Sequence, residues 1–347
     1  TEEMATNASG REYNIVVGRQ DVSELGIGGD GSLADADFVS GSRLFMRNAS
    51  VTGINYDAGF TTAEVLRTGR RSLEDGDLIR HYGSGVWTWD FDYLVENEVM
   101  LQSLLGLVTE VATTTGAITI TPTVADTTND YSHGSAAADN VGIVLLVAPP
   151  ATSGLADDDH IMHSAVLQNL TLSMDMGTDA GRLHASGQFM SGYKPIVKDS
   201  GVTGGTTASD FENGLYDFTV RTVGGHTTVT VKSFSMTFTN PATRVGWQGT
   251  SAEADGYVRA GLYDISGSIT LKYDDSSADA LQDWQVNPSV GYAILLNDGS
   301  NFDINIPSAR MTGHNIDFAD EGMFVEIPWR ATTGVAHAGN LAVLTMS

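Results

Sequence analysis

The chain has 347 residues, of which 41 % are hydrophobic, and 43 acidic against 18 basic residues give a net charge of −25. That length supplies cores for two domains, and that apolar share excludes a disordered chain. Cysteine is absent, which excludes disulfides and thiolate metal sites, and no run approaches the roughly 20 apolar residues of a membrane-spanning helix.

Taken in chain order, residues 1–40 are polar, with a short strand candidate at Tyr13–Val17 and a glycine run at Gly26–Gly31. This region reads as an arm that becomes ordered against neighbours. Its opening, TEEMATNASGREYNIVV, has acids where a secretion leader has basic residues, so no such leader is expected. Leu44–Tyr56 is strand-like, and a long polar loop, Asp57–Tyr82, carries Arg67, Arg70, Arg71 and Arg80. From Val86 to Leu94, Trp87, Trp89, Phe91 and Tyr93 alternate with Thr88, Asp90 and Asp92, the two-residue period of a half-buried strand. Val99, Leu101, Leu104, Leu105 and Val108 then recur at helical spacing.

Residues 112–163 are rich in Thr, Ala, Asp and Gly, with strand candidates at Ala117–Thr121 and Val141–Val147. A hairpin is predicted from Val166–Met176 through Gly177–Gly181 into Arg182–Met190. Residues 194–214 read as a linker. Leu215–Val223 and Thr227–Thr239 follow as strands, then a second long loop, Asn240–Tyr263, bearing Arg244 and Arg259. In Ile265–Val286, Ile269, Leu271 and Tyr273 alternate with Thr270, Lys272 and Asp274, and Ala280, Leu281 and Trp284 form a helical stripe. A last hairpin runs from Asn305–Phe318 into Met323–Arg330.

The order of elements recurs. Asn48–Ile54 matches Ser233–Thr239, the two long loops match, Ser84–Leu94 matches Ser266–Ser276, and Arg182–Phe189 matches Met323–Arg330. The last two offsets are 182 and 141 residues, which places about 41 extra residues in the first copy, at 112–163. The expectation is a duplication. Two unrelated antiparallel domains would share the alternation but not this order.

The charge has its own reading. Only Lys194, Lys198, Lys232 and Lys272 are lysines. Such a surface repels itself at low salt, and at about 1 M salt the Debye length falls to roughly 3 Å, which removes most of the repulsion. A halophilic or marine source is expected. A basic footprint for direct nucleic-acid binding is missing.

VKSFSMTFTN, a long loop, GLYDISGSITLKYDD, a short helix and INIPSARMTGHNIDFADEGMFVEIPWRAT together resemble the tail tube (major tail) proteins of long-tailed, non-contractile, siphovirus-type viruses. AVLQNLTLSMDMGTDAGRLHASGQFMSGY supplies the other half. An ordered pattern carries this resemblance, with no catalytic motif. It implies a mainly β fold of two tandem tail-tube-type antiparallel β-sandwich or barrel-forming domains, each with a short flanking helix. The boundaries are an arm at 1–40, a first domain at 41–193, a linker at 194–214 and a second domain at 215–347.

It further implies a structural virion protein of the tail tube, not an enzyme, assembled in the host cytoplasm without cofactor, metal or membrane. Rings of tube domains share a continuous inner β-barrel, stack head to tail and let viral DNA pass without specific binding. Six tube domains are usual per ring, so two per chain imply a homotrimeric, pseudo-hexameric ring, with a hexamer of chains as the alternative. The other implied partners are the tape measure, tail terminator and distal tail proteins.

Under that resemblance the alternation nominates bore-facing side chains. They are Thr88, Asp90, Asp92, Thr171, Ser173, Asp175, His184, Ser186 and Gln188 in the first copy, and Thr270, Lys272, Asp274, Thr312, His314 and Glu326 in the second. Their competing reading is ordinary solvent-facing strand positions. Arg67, Arg70, Arg71, Arg80, Arg244 and Arg259 are candidates for pairing with acids of the next ring, against a reading as solvated loops.

Other motifs are weak. Gly26–Gly31 fits GxGxxG without the flanking strand and helix. His160 and His163 beside Asp157–Asp159 read as an exposed loop, and Asp298, Ser300 and Asp303 as a turn with part of a calcium-loop spacing. Two further classes stay open: a secreted, surface-layer or pilus-like β protein of a halophile, and a calcium- or carbohydrate-binding β-sandwich.

Overall fold

The structure is a computed structural model. It describes residues 160–193, 195–197, 206–207, 214–227, 229–239, 241–246, 254, 256–259, 264–299, 302–319, 322–333 and 341–346. Before residue 160 it describes the strand segments named next, largely as backbone.

The early strands are β1 (Asn14–Gln20), β2 (Leu44–Met46), β3 (Ala49–Asp57), β4 (Phe60–Thr62), β5 (Leu78–Arg80), β6 (Ser84–Phe91), β7 (Val108–Thr109), β8 (Ala117–Ile120), β9 (Asp130–Ser132) and β10 (Gly142–Ala148). The middle of the chain holds β11 (His160–Asp175), β12 (His184–Ser191), β13 (Ile196–Val197), β14 (Thr206–Thr207), β15 (Val220–Val223), β16 (His226–Thr227) and β17 (Val231–Thr239). Then come β18 (Ala242–Val245), β19 (Gly256–Arg259), β20 (Asp264–Lys272), the helix α1 (Asp275–Val286), β21 (Tyr292–Asn297), β22 (Phe302–Met311), β23 (Asn315–Ala319), β24 (Gly322–Ala331) and β25 (Ala342–Met346). The fold is mainly β: one large, almost wholly antiparallel sheet of 20 strands, two small sheets and, among the described residues, one α-helix.

Alternation builds the core. On one face of β11, β12, β17, β20 and β24, Leu170, Leu172, Met174, Ala185, Phe189, Phe234, Met236, Phe238, Ile269, Leu271, Val325, Ile327 and Trp329 are all buried. Each fully buried side chain of this size contributes on the order of 1.5–3 kcal/mol. Phe234 stacks on Trp329, with centroids 6.1 Å apart. Helix α1 closes this side, because Leu281 and Trp284 enter the same cluster. Asp274 starts the helix with a capping box: its carboxylate accepts from Ser277 N–H, and Ser277 Oγ accepts from the Asp274 N–H.

Two series of strands have the same pairing order. The first is β1–β10–β11–β12–β6–β3, and the second is β15–β21–β22–β24–β20–β17. One irregularity coincides, whereas the shift of β3 on β6 at Val51/Gly53 and that of β17 on β20 at Val231/Ser233 fall at different places. Ile143 opposes Ala165 and Leu145 opposes Met162 across one register shift, while Tyr292 opposes Ala309 and Ile294 opposes Ile306 across another. Ala165 also opposes Ser191, as Ala309 opposes Ala331. A shared bulge fixes the correspondence of two ladders more firmly than sequence can.

That correspondence corrects the expected offsets. Asp90 opposes Ser186, and Thr270 opposes Glu326, so the strands match at offsets of 180 and 140 residues. An offset of 141 would set Ser186 against buried Ile327 and exchange the faces.

The two series are joined edge to edge. β11 pairs directly with β17 along Asn169–Asp175. Segments expected to be an insertion also cross over: β8 pairs with β25, and β9 with β19. β10 belongs to the first series itself. β1, expected within a separate arm, pairs with β10 and β2. The expected first helix lies outside the described residues, apart from Val108 in β7.

Candidate functional site: the polar face of the central sheet

Opposite the core, eight strands in the order β3–β6–β12–β11–β17–β20–β24–β23 carry polar residues in register. One row runs Ser50, Asp90, Ser186, Thr171, Thr237, Ser266, Arg330. A second runs His184, Ser173, Ser235, Ser268. A third runs Asp175, Ser233, Thr270, Glu326, Asn315. The face exists because most alternate residues of these strands are polar and antiparallel pairing puts them in rows, with Pro328 opposite Ser268 and Phe324 opposite Lys272 as apolar members on β24.

Hydroxyls dominate it and bind one another. Thr171 and Thr237 lie 3.0 Å apart at their Oγ1 atoms, and Ser235 and Ser268 3.1 Å apart at Oγ. Ser233 donates to Thr270 at 2.8 Å. Charges are sparse and partly neutralised: Arg330 Nε donates to Asp264 at 2.6 Å, and Lys232 Nζ lies 4.3 Å from the centroid of the Phe324 ring. Among the described residues this surface carries no cluster of cations.

Most of the nominated side chains meet here. Thr171, Ser173, Asp175, His184, Ser186, Gln188, Thr270 and Glu326 lie on this face, and Thr88 and Asp90 take its register positions on β6. Lys272 ends β20 opposite Phe324 and is exposed. Asp274 is spent on the helix cap. Thr312 leaves the sheet, donating through N and Oγ1 to Pro328 O, and His314 is exposed in the link to β23. Asp92 lies outside the described residues. Ser233, Ser235, Thr237, Ser266 and Ser268 were not nominated, although the alternation of β17 and β20 already marked them.

Each long loop contains a small hairpin: β4 pairs with β5, and β18 with β19. Arg80 opposes Phe60, Arg244 opposes Tyr257, and Arg259 opposes Ala242. Arg67, Arg70 and Arg71 lie outside the described residues. The second hairpin is tied to β11 and β12. The hydroxyl of buried Tyr257 accepts from Gly192 N–H and donates to Ser164 O, both at 2.6 Å. Ala242 N–H donates to Gln168 Oε1 at 2.9 Å.

Two weak motifs resolve differently from expectation. His163 is no exposed loop residue: it is buried in β11, its ring 5.4 Å from that of Tyr193. Asp303 lies in β22, where burial and the neighbouring Asp298 charge raise its pKa.

Residues 15–331 match the family described as phage tail tube protein. No curated protein matches the chain.

Proposed function

The chain belongs to the phage tail tube protein family, and from that premise we propose that its polar face lines the bore of a tube built from rings of three chains. Membership makes it a structural component of the virion tail and not an enzyme. The observation that carries the rest is the pair of strand series with one pairing order, joined edge to edge under a continuous polar face. Read as tandem tube domains, they supply two sixths of a ring per chain. A ring of six chains is the alternative, and mass per ring decides between them.

The bore positions on this reading are Thr88, Asp90, Thr171, Ser173, Asp175, His184, Ser186, Gln188, Thr270 and Glu326, with the neighbouring hydroxyls of β17 and β20. Asp92 is offered as a further bore position, and Lys272, Asp274, Thr312 and His314 stand at its rims. A hydroxyl surface with few cations gives DNA phosphates little to hold them, so counterion-release binding is weak and the duplex slides. The hairpins within 57–82 and 240–263 reach the next ring, with Arg67, Arg70, Arg71, Arg80, Arg244 and Arg259 offered to its acids. Tape measure, terminator and distal tail proteins are the expected partners inside and at the ends. The acidic surface favours assembly at high salt, as in a halophilic or marine host.

Electron microscopy of the purified protein tests this. Stacked rings with a bore a few nanometres wide are expected, and a permanent monomer at high salt would overturn it. In phage, Asp90→Lys with Asp92→Lys should leave tubes intact and slow genome delivery. Unchanged delivery would remove these positions from the bore.

A further inference from the structure

The junction inside the chain has a counterpart left open at its two ends. Along β11–β17, Leu172 opposes Met236 and Met174 opposes Phe234, with all four side chains buried. Carried through the ladders, β11 corresponds to β22 and β23, and β17 to β3. Thr171 falls on Asn315 and Asp175 on Ala319, while Thr237 falls on Asn55. Yet β3 pairs only with β6 and β23 only with β24 among the described residues. Phe318, which takes the place of buried Met174, is 74 % exposed. An aromatic residue on the core side of an unpaired edge strand invites pairing with another chain.

We propose that β23 of one chain pairs with β3 of a second copy, antiparallel, in the register of the internal junction. Asn315 then opposes Asn55, Ile316 opposes Ile54, Asp317 opposes Gly53, Phe318 opposes Val51 and Ala319 opposes Ser50. This register puts apolar residues opposite apolar ones on the core side, and on the other side sets Asn315 against Asn55, Asp317 against Gly53 and Ala319 against Ser50. Ile54 and Val51 hold the β3 positions opposite Trp87 and Trp89, and Trp87 is in turn opposite buried Phe189. A one-residue slip would place Phe318 opposite a polar-face position. The seam rests on the ring reading for its biological setting, but its register rests on the two strand series alone.

The chain lacks cysteine, so a double variant reports the register directly. Asn55 and Asn315 are both exposed, and they replace Thr237 and Thr171, whose side chains touch. Under oxidation, Asn55→Cys with Asn315→Cys should give a ladder of covalent multimers on a non-reducing gel. Asn55→Cys with Asp317→Cys, one rung pair away, should give at least fivefold less. Multimers that favour the second pair, a cross-link confined to the monomer, or no cross-link in assembled protein would each overturn the seam. Covalent multimers in a sample that never stacks into tubes would keep the seam and overturn the tube reading instead. Phe318→Glu should abolish assembly and Phe318→Leu should retain it. Normal assembly of Phe318→Glu would overturn the seam.

Discussion

Thr171 and Thr237 meet across the junction of the two strand series, hydroxyl to hydroxyl at 3.0 Å, one rung from buried Leu172 and Met236, which oppose each other. The hydroxyl contact is half-buried, so water competes for it. A double-mutant cycle with Thr171→Val and Thr237→Val should give a coupling of about 0.5–1 kcal/mol in chemical denaturation. Coupling indistinguishable from zero would mean that the apolar side alone holds the junction.

Gly267 lies on the core side of β20, opposite Met236 and Trp329. A Cβ there would collide with the Ser235 carbonyl oxygen and crowd the Trp329 ring at 2.7 Å. Gly267→Ala should therefore cost about 3 kcal/mol, the upper range for overpacking, read as a lower denaturation midpoint. An unchanged midpoint would show that β17 and β20 separate freely.

Tyr257→Phe removes one hydroxyl and with it two buried hydrogen bonds, from Gly192 N–H and to Ser164 O. A loss of about 2–3 kcal/mol is expected. Limited proteolysis should show faster cleavage within 240–263 than in the parent. Equal cleavage would show that the hairpin is held by other contacts.

Asp274 separates a capping role from a bore role. Asp274→Ala should destabilise the protein by about 1 kcal/mol, and Asp274→Ser should recover most of it. An equal loss in both would contradict the cap.

Folding raises the pKa of Asp303, through burial first and the Asp298 charge second. The folded state thus holds this proton more tightly than the unfolded chain does. The contribution of Asp303 to stability is greatest below the unfolded carboxylate value of about 3.9 and declines as pH rises through the folded value. Asp303→Asn should therefore raise the melting temperature at neutral pH and lose that advantage in acid. A lower melting temperature at neutral pH would mean that the carboxylate makes a favourable contact when charged.

The alternating strands were legible because each has one buried face: β11, β12, β17, β20 and β24 announce themselves by every second residue. What alternation does not carry is register. The bulges at Ile143/Leu145 and Tyr292/Ile294 arise from pairing, so a comparison of sequences set β24 against β12 one residue out and exchanged its faces. The burial of His163 was hidden for a related reason. Its neighbours Asp157–Asp159 suggested solvent, whereas its environment comes from Tyr193, thirty residues later. The capping role of Asp274 has a signal in the sequence, an Asp directly before a helical stripe with Ser277 three residues on.

In the proposed ring, the β11–β17 junction changes the thermodynamics of closure. Bringing free bodies together loses translational and rotational freedom worth about 4–15 kcal/mol per association. A seam inside one polypeptide is made when the chain folds, and its partners arrive tethered. In a closed ring of such chains every second seam escapes that loss, whatever the number of chains. The seams between chains are then the ones at which a ring opens, and a subunit leaves as a prefabricated pair.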